Sequence, residues 1–336
     1  MKILNIILYE HKMESEKESE IESEIESENI TRLVLPACGQ NSLYVLGALK
    51  ALHKNNFWTY ENIEEIFATS SGSIIGMIVL LNIDFELITQ YFICRPWQNL
   101  IPSKKDFVYN IFSSGILKKE LLEKVFEPLF KMCDIEMGIT MMELYEKIPI
   151  KFNIYLTNLD DFVAEKVTHE SHPSMPVIDA IYMSCCIPVL LEPIMYKKKY
   201  YIDGAIFNGN PKQELTEIQK QHTLTFNFTC SGYYECDTIH ETKGLSLYVL
   251  FKKLIGGVIW NLKNTVKNVI TKNDVKLNWI RNETIYDYKS WLNFFYNKED
   301  RQVKITIGEE YGLLFLKRKE LNRELLREKH ELSKGD

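Results

Sequence analysis

The sequence predicts an α/β fold in which helices surround a mostly parallel central sheet. Short runs rich in Val, Ile, Tyr and Phe alternate with stretches of helical periodicity, and strands separated by helices are typical of parallel sheets. Strands are predicted over residues 32–36, 65–69, 152–156, 200–203 and 223–228. Helices are predicted over residues 42–55, 71–81, 118–130, 140–147 and 176–185. In such a sheet, catalytic residues are expected beyond the carboxyl ends of the strands.

Residues 1–29 are predicted to form a disordered acidic arm. Between Glu10 and Glu28, nine glutamates stand against two lysines, and the segment repeats Glu and Ser with few apolar residues. Such a composition buries too little apolar surface to offset the entropy of ordering. The formal net charge of the whole chain is −6. The arm therefore carries the acidity, and the remaining chain is close to neutral.

After the arm, residues 30–230 are predicted to form the core of the domain, and residues 231–336 a helical and irregular extension that completes it. Within the core, residues 107–147 have the pattern of a helical insertion between two strands. In the extension, residues 305–312 have the composition of a strand followed by a turn, and residues 317–334 that of a highly charged helix.

One amphipathic stretch runs from Gly244 to Lys272. Leucines and valines share one face of it, and Lys252, Lys263 and Lys267 lie on the other. This pattern fits a helix that lies on a membrane surface, and it fits equally a surface helix packed on the protein's own core. A peripheral membrane contact through residues 244–272 is therefore one of two expectations.

The composition argues against several classes of protein. No run of 18 apolar residues is present to cross a membrane, and the short apolar N-terminus lacks a signal-peptide cleavage site. Seven cysteines, an odd number that includes the adjacent Cys185 and Cys186, suit free thiols in the cytoplasm. Zinc-binding spacings, phosphate-binding glycine patterns and nucleic-acid-binding motifs are missing from the sequence. We therefore expect no metal, no cofactor and no nucleic-acid partner.

The strongest catalytic candidate is Ser70, within Ala68-Thr69-Ser70-Ser71-Gly72. A serine at a sharp turn between a strand and a helix, with small neighbours, is exposed as a nucleophile. The helix that follows directs N–H groups and the positive end of its dipole at a developing oxyanion. The pentapeptide alone also fits an ordinary helix N-cap, because Ala68 stands where a G-x-S-x-G motif has its first glycine.

Other segments accompany this turn in a recognisable order. Upstream lies the loop Pro36-Ala37-Cys38-Gly39-Gln40-Asn41-Ser42, and downstream a predicted strand ends in Asp203-Gly204-Ala205. Between and after them come Ser184-Cys185-Cys186-Ile187-Pro188 and Asn208-Gly209-Asn210-Pro211. In order and spacing, these segments resemble the patatin-like phospholipases, a family of lipid acyl hydrolases. The resemblance covers about residues 31–228.

The resemblance implies a three-layer α/β/α fold and a Ser–Asp catalytic dyad. Ser70 is the expected nucleophile and Asp203 the expected general base. The other positions that the family's motifs imply are Ala68, Gly72, Gly204 and Ala205, and for the oxyanion hole Cys38, Gly39, Gln40 and Ser71. The implied reaction is hydrolysis of fatty-acyl esters of phospholipids or other glycerolipids through an acyl-enzyme intermediate.

The upstream loop departs from the family's Gly-Gly-Gly-x-Arg/Lys-Gly pattern. Ala37 and Cys38 stand at glycine positions, and Asn41 replaces the basic residue. Glycine adopts positive φ at little cost, which lets a backbone N–H turn toward an oxyanion. Gly39 remains and is expected to make that turn. The alternative function is a catalytically weak or inactive protein that binds lipid or membrane with the same fold.

Histidines offer a rival mechanism. A Ser–Asp–His triad in the chain order of α/β-hydrolases would use His222 or His240, both of which follow Asp203. Neither lies within a recognisable motif. His169 and His172 have a spacing found among metal ligands, but they are predicted to be loop residues.

Overall fold

A computed structural model of the chain describes residues 29–101, 115–229, 269, 271–278 and 288–333. Among these residues it contains one large mixed sheet and a small two-stranded sheet. The strands are β1 (Arg32–Leu35), β2 (Glu65–Thr69), β3 (Gly115–Leu117), β4 (Lys151–Asn158), β5 (Val163–Val167), β6 (Val189–Leu191), β7 (Met195–Tyr196), β8 (Lys199–Asp203), β9 (Thr223–Thr229) and β10 (Asn273–Asn278).

The large sheet is mostly parallel, as the sequence predicts. Its strand order is β10-β9-β1-β2-β4-β8-β7, and β5 pairs with β4 outside this path. Strands β10, β9, β1, β2 and β4 run parallel to one another. Strands β5 and β8 run antiparallel to β4, and β7 runs antiparallel to β8. The carboxyl ends of the central strands therefore meet at one edge of the sheet.

Helices lie between the strands along the chain. They are α1 (Ser42–Lys54), α2 (Ser71–Leu80), α3 (Phe85–Cys94), α4 (Lys119–Met132), α5 (Met141–Lys147), α6 (Val177–Cys185), α7 (Ala205–Asn208), α8 (Glu217–Gln221), α9 (Tyr288–Tyr296) and α10 (Lys298–Ser333). The bounds of α1, α2, α4, α5 and α6 agree with the five predicted helices to within two residues, whereas the charged helix predicted over residues 317–334 begins earlier, at Lys298. None of the described helices is both long and apolar enough to span a membrane.

Both faces of the sheet are covered by other elements. Successive side chains of a strand point to opposite faces. Leu33 and Leu35 on β1 accordingly join the main hydrophobic core, together with residues of α1, α2 and α6. Val34, between them, belongs to a second, smaller cluster with Phe67, Tyr155 and Leu215. The fold is thus α/β with a central sheet flanked by helices.

The prediction of a strand and turn at residues 305–312 is wrong, because this segment lies inside the 36-residue helix α10. The β-branched residues there favour a strand by composition, but tertiary packing overrides that preference. Helix α10 lies against α1, and two glycines permit the close approach. A Cβ at Gly47 would lie 2.1 Å from the Ile305 carbonyl oxygen, and one at Gly308 would lie 2.2 Å from that of Tyr44.

Several predictions fall outside the described residues. The acidic arm up to residue 28 and nearly all of the amphipathic stretch at residues 244–272 lie there, as do residues 102–114 of the predicted insertion. The part of the insertion that is described contains β3, α4 and the short helix α5. The proposed division at residue 230 stays a prediction.

Candidate active site

Ser70 occupies a sharp turn between β2 and α2. Its backbone has φ 54° and ψ −133°, a conformation that side-chain-bearing residues rarely adopt. Such strain persists only where surrounding contacts enforce it, and it is typical of the nucleophile turn of hydrolases. Ala68 and Gly72 flank the turn. A Cβ at Gly72 would lie 2.2 Å from the Leu35 carbonyl oxygen, so only glycine allows β1 to pass this close.

Hydrogen bonds from outside the turn hold Ser70 in place. The Ser70 N–H donates to Ser184 Oγ at 2.8 Å, and that hydroxyl donates to the Tyr155 carbonyl oxygen at 2.7 Å. The Ser70 carbonyl oxygen accepts from both the N–H and the hydroxyl of Ser73, at 2.7 Å and 2.6 Å. The side chain of Ser184, which lies on α6, therefore links the turn to β4.

Asp203 ends β8 beside Ser70. The Ser70 hydroxyl donates to Asp203 Oδ2 at 2.6 Å, and the N–H of Ala205 donates to Oδ1 at 2.8 Å. The Asp203 backbone is fixed as well, because its N–H donates to the Cys186 carbonyl and its carbonyl accepts from the Thr157 hydroxyl, both at 2.9 Å. Gly204 follows as the N-cap of the short helix α7. The structure thus brings together the two residues that the sequence singles out.

Burial changes the proton affinity of this carboxyl group. Desolvation raises the pKa of Asp203 from 3.8 to about 6, although its hydrogen bonds from Ser70 and from the Ala205 backbone act in the opposite direction. Asp203 is only 6% exposed, and Ser70 only 4%. A carboxylate with this pKa is a better proton acceptor than an exposed one, and it is still mostly ionised at neutral pH.

The upstream loop lies against the same turn. Gly39 has φ 55° and begins a short 3-10 helix, Gly39–Asn41. Ser71 begins α2. The N–H group of a first helical residue has no acceptor within its own helix, so those of Gly39 and Ser71 are suited to bind an anion. The N–H of Cys38 instead donates to Ser71 Oγ at 3.3 Å. Burial raises the pKa of the Cys38 thiol to about 12, which keeps it neutral.

Gln40 carries an unusual pair of atoms. Its side chain is buried, at 1% exposure, yet neither its Nε2 nor its Oε1 has a hydrogen-bond partner among the described residues. An unpaired buried amide atom costs on the order of 1–3 kcal/mol. Gln40 also lines the cavity beside Ser70. The loop therefore places an amide with unused hydrogen-bonding capacity at the cavity that Ser70 also lines.

An apolar cavity of about 120 Å³ adjoins Ser70 and Ser71. Its walls come from α2, α3, α4, β6 and α9, and include Ile74, Phe92, Leu121, Leu190, Trp291 and Phe294. Such a space is suited to a hydrocarbon chain attached to a group at Ser70. The contribution of α9 is not predictable from motifs, because nothing in the sequence near Trp291 marks it as part of a site formed by residues 220 positions earlier.

One buried arginine fixes part of the cavity wall. Arg301 is 3% exposed, and its guanidinium donates to carbonyl oxygens at the ends of two helices. At the end of α3 it donates to Phe92 at 2.9 Å and to Ile93 at 2.8 Å, and at the end of α9 to Phe294 at 2.6 Å. A cation at a helix C-terminus is stabilised by the helix dipole. Arg301 thereby holds together two helices whose aromatic side chains line the cavity.

The histidines lie elsewhere. His222 is hydrogen bonded through Nδ1 to the Asn29 carbonyl at 3.0 Å, beside the amino end of β1 and so at the opposite edge of the sheet. His169 stacks on Tyr145 with ring centroids 3.7 Å apart, and His172 Nε2 lies 3.0 Å from Glu165 Oε1. His240 lies outside the described residues. In the part of the chain that the structure describes, no group of three or more His, Cys, Asp or Glu residues could hold a metal ion.

Comparisons with known proteins identify the family of this chain. A model of the family described as patatin-like phospholipase matches residues 33–216. Probable lipid hydrolase 463L of Invertebrate iridescent virus 6 is 29% identical over 187 residues, which cover 53% of this chain and 61% of that protein. Uncharacterized protein R571 of Acanthamoeba polyphaga mimivirus is 23% identical over 209 residues, 62% of this chain and 68% of that one. The aligned region thus spans about three fifths to two thirds of these relatives.

Two solved structures are similar at a lower level. VipD from Legionella pneumophila gives a TM-score of 0.49 at 16% identity, covering 86% of this chain and 67% of that one. The type III effector protein ExoU gives a TM-score of 0.46 at 13% identity, covering 87% of this chain and 54% of that one. The assignment of the fold rests on the sheet, its flanking helices and the family match.

Proposed function

The chain belongs to the patatin-like phospholipase family, and from this premise we propose that it is a lipid acyl hydrolase with Ser70 as nucleophile and Asp203 as general base. The observation that carries the proposal is the 2.6 Å hydrogen bond from the Ser70 hydroxyl to Asp203 Oδ2 in a buried, strained turn. The substrate class that fits the adjoining apolar cavity is a fatty-acyl ester of a phospholipid or another glycerolipid.

In the first half of the reaction, Ser70 Oγ attacks the ester carbonyl carbon while its proton passes to Asp203 Oδ2. The carbonyl oxygen becomes an oxyanion, which the N–H groups of Gly39 and Ser71 are suited to stabilise. The C–O bond to the glycerol oxygen then breaks, and the proton on Asp203 passes to that leaving oxygen. An acyl-enzyme on Ser70 and a free alcohol result.

The second half returns the enzyme to its starting state. Asp203, again ionised, takes a proton from a water molecule that attacks the acyl carbonyl carbon. The Ser70 ester bond breaks, Ser70 Oγ regains the proton from Asp203, and the fatty acid is released. The acyl chain lies in the apolar cavity throughout, which excludes bulk water from one side of the reaction.

A specific observation favours a second candidate. Cys38 stands where the family has a glycine. Its N–H group already donates to Ser71 Oγ, so this N–H is not free to bind an oxyanion. If the loop stabilises the oxyanion poorly, the protein is a weakly active or inactive lipid-binding member of the family. The retained hydrogen bond between Ser70 and Asp203 favours the enzyme over this alternative.

The proposal is tested by fatty-acid release from vesicles of mixed phospholipids. We expect the purified chain to release fatty acid and Ser70→Ala to release none, because the acyl-enzyme has no site of attachment. A fluorophosphonate probe should label Ser70 in the unaltered chain. Absence of both labelling and release from the unaltered chain would overturn the hydrolase and leave the lipid-binding alternative.

Location and partners form part of the same proposal. We propose that the protein acts in the cytoplasm and meets its substrate at a membrane surface, and residues 244–272 stay a candidate for that contact. Neither Cys185 nor Cys186 forms a disulfide bond in the structure, which suits a reducing compartment.

A further inference from the structure

Two hairpins project from the edge of the sheet where Ser70 lies. Thr69, which precedes Ser70, pairs with Tyr155 on β4, and β4 continues for three more residues to Asn158. At about 3.3 Å per residue, the turn between β4 and β5 therefore begins roughly 10 Å beyond the level of the nucleophile. Strands β7 and β8 form the second hairpin, and the Leu159 N–H donates to the Tyr200 carbonyl at 2.9 Å.

The tips of both hairpins expose apolar side chains. Five of them are between 41% and 55% exposed: Leu159, Phe162, Val163, Met195 and Tyr200. We call these five residues, with Lys197 and Lys198, the hairpin edge. Single exposed apolar residues are normal on soluble proteins, but a group on two adjoining hairpins at the active-site edge indicates a binding surface.

The hairpin edge is held in a fixed conformation. Phe162, Lys197 and Lys198 all have positive φ, at 52°, 48° and 66°, so both turns are tight. The Phe162 ring packs against the edge of Phe207, with centroids 5.1 Å apart. Phe207 lies on α7, the helix that begins two residues after Asp203. The exposed surface is thus connected by direct packing to the element that follows the general base.

The charges on this surface are unequal. Asp161 is paired with Lys199, and Asp160 Oδ2 accepts the Tyr200 N–H at 2.6 Å, so both carboxylates are engaged within the hairpins. Glu165, on β5, is engaged by His172. Among the described residues, neither Lys197 nor Lys198 has an ion-pair partner, and Lys197 Nζ lies 5.1 Å from the Tyr196 ring centroid. The bond from the Tyr200 N–H leaves the negative charge of Asp160 in place, so three lysines (Lys197, Lys198 and Lys199) stand against two aspartates and the tips keep a net positive charge beside apolar and tyrosine side chains.

We propose that the hairpin edge inserts into the headgroup region of a bilayer that contains anionic phospholipid. Tyrosine is enriched at membrane–water interfaces, and lysine side chains extend from buried stems to reach lipid phosphates. Lysine is depleted in protein–protein interfaces, which disfavours a protein as the occupant. Insertion at this edge brings the mouth of the site to the lipid surface. The inference builds on the proposed lipid hydrolase function, but binding is measured separately from hydrolysis.

The test uses the full chain carrying Ser70→Ala, so that no lipid is consumed. Co-sedimentation is measured with vesicles of phosphatidylcholine alone and of phosphatidylcholine with phosphatidylserine. We expect Phe162→Ser combined with Met195→Ser to weaken binding to both kinds of vesicle by about tenfold or more, because inserted apolar surface is lost. Lys197→Glu with Lys198→Glu should remove only the additional binding that phosphatidylserine gives.

Ile218→Ser is the matched control. Ile218 is 76% exposed on α8, at the opposite edge of the sheet, and its replacement should leave vesicle binding unchanged. Unchanged binding of the Phe162 and Met195 double variant overturns the proposal, as does an equal loss in Ile218→Ser. A concentration-dependent dimer that the double variant abolishes would also overturn it, because the occupant would then be a second copy. Failure of the unaltered chain to release fatty acid would overturn the hydrolase, not this surface.

Discussion

The turn that carries Ser70 and the loop that contains Gly39 lie side by side, and they are constructed in opposite ways. At the turn, the polar atoms of Ser70 and Asp203 are engaged by Ser184, Ser73, Ala205 and one another. In the loop, the Gln40 amide is buried with both atoms unpaired among the described residues. The polar atoms of the turn are thus engaged in the free protein, whereas the loop keeps a buried amide whose hydrogen-bonding capacity is unused among the described residues.

Under the proposed function, the difference predicts how the turn and the loop would contribute to catalysis. A strained backbone is maintained only when several contacts enforce one geometry, as they do at Ser70. Electrostatic stabilisation of an oxyanion instead needs donors with no competing acceptor in the free protein. Replacements at the turn should therefore abolish or misalign the reaction, and replacements in the loop should reduce it in smaller steps.

The largest effect is expected at the turn, for Asp203→Asn. An amide does not accept the Ser70 proton, so kcat/KM should fall by on the order of 10⁴-fold or more. Turnover of a fluorogenic acyl ester measures this loss, and circular dichroism verifies that the variant is folded. His222→Gln, at the opposite edge of the sheet, is the control and should retain activity within a few-fold. A collapse of activity in His222→Gln would support a histidine-containing triad instead.

In the loop, Gly39→Val should cost roughly 10²- to 10³-fold in kcat, the usual loss for one oxyanion donor. Gly39 has φ 55°, and a β-branched residue at that φ forces the backbone to change, which would misplace the N–H group that we propose binds the oxyanion. The effect should fall on kcat more than on KM, because the negative charge is absent from the bound substrate and develops only as Ser70 attacks. A Gly39→Val variant with unchanged kcat would exclude this donor.

Ser184→Ala tests whether contacts from outside the turn matter. It removes the acceptor of the Ser70 N–H and the donor to the Tyr155 carbonyl, so we expect the nucleophile to shift and kcat to fall by about 10²-fold. Ser73→Ala is a matched control at the same turn. The Ser73 N–H still donates to the Ser70 carbonyl in that variant, so its loss should be much smaller. Equal losses in the two variants would contradict a positioning role for Ser184.

The sequence predicts that Ser70 and Asp203 act together and predicts most of the sheet, but it does not predict the contacts that hold them. The strand that ends in Asp203 and the turn at Ser70 are predictable, because local patterns of apolar and small residues determine both. The link from Ser184 to Ser70 joins positions 114 residues apart and leaves no periodic signal. The contacts of Arg301 and the cavity-lining aromatic residues of α9 likewise join distant parts of the sequence and leave no local signal. At residues 305–312, composition predicts a strand, and packing against α1 makes a helix.

The pH dependence of the reaction should follow Asp203. Below its pKa of about 6, the carboxyl group is protonated and kcat/KM should fall about tenfold per pH unit, with a plateau above pH 7.

The buried Asp203 carboxyl group also lowers the stability of the folded protein at high pH. Because the folded-state pKa is raised, the folded protein holds this proton more tightly than the unfolded chain, and that advantage is lost as the pH rises through about 6.

Asp203→Asn should therefore raise the melting temperature relative to the unaltered chain more at pH 8 than at pH 4. The rise in the pKa of Asp203 from 3.8 to about 6 corresponds to a change of about 3 kcal/mol at most in the free energy of unfolding between these two pH values. A difference in melting temperature that is independent of pH would show that the burial of Asp203 does not perturb its ionisation.

The smallest effect on rate is expected for Gln40→Met, which replaces the unpaired amide by an apolar side chain of similar length. Because two buried polar atoms lose their desolvation cost, the variant should be more stable by ~1–3 kcal/mol, measured by urea unfolding. Its kcat/KM for a glycerolipid ester should fall several-fold, since the substrate then meets no amide beside Gly39.

Gln40→Glu is the control for this prediction. It keeps the length of the side chain but buries a charge, so it should be less stable than the unaltered chain. A Gln40→Met variant that is destabilised would mean that the amide already has a partner in the free protein. The loop would then be as fully bonded as the turn, and the contrast between them would disappear.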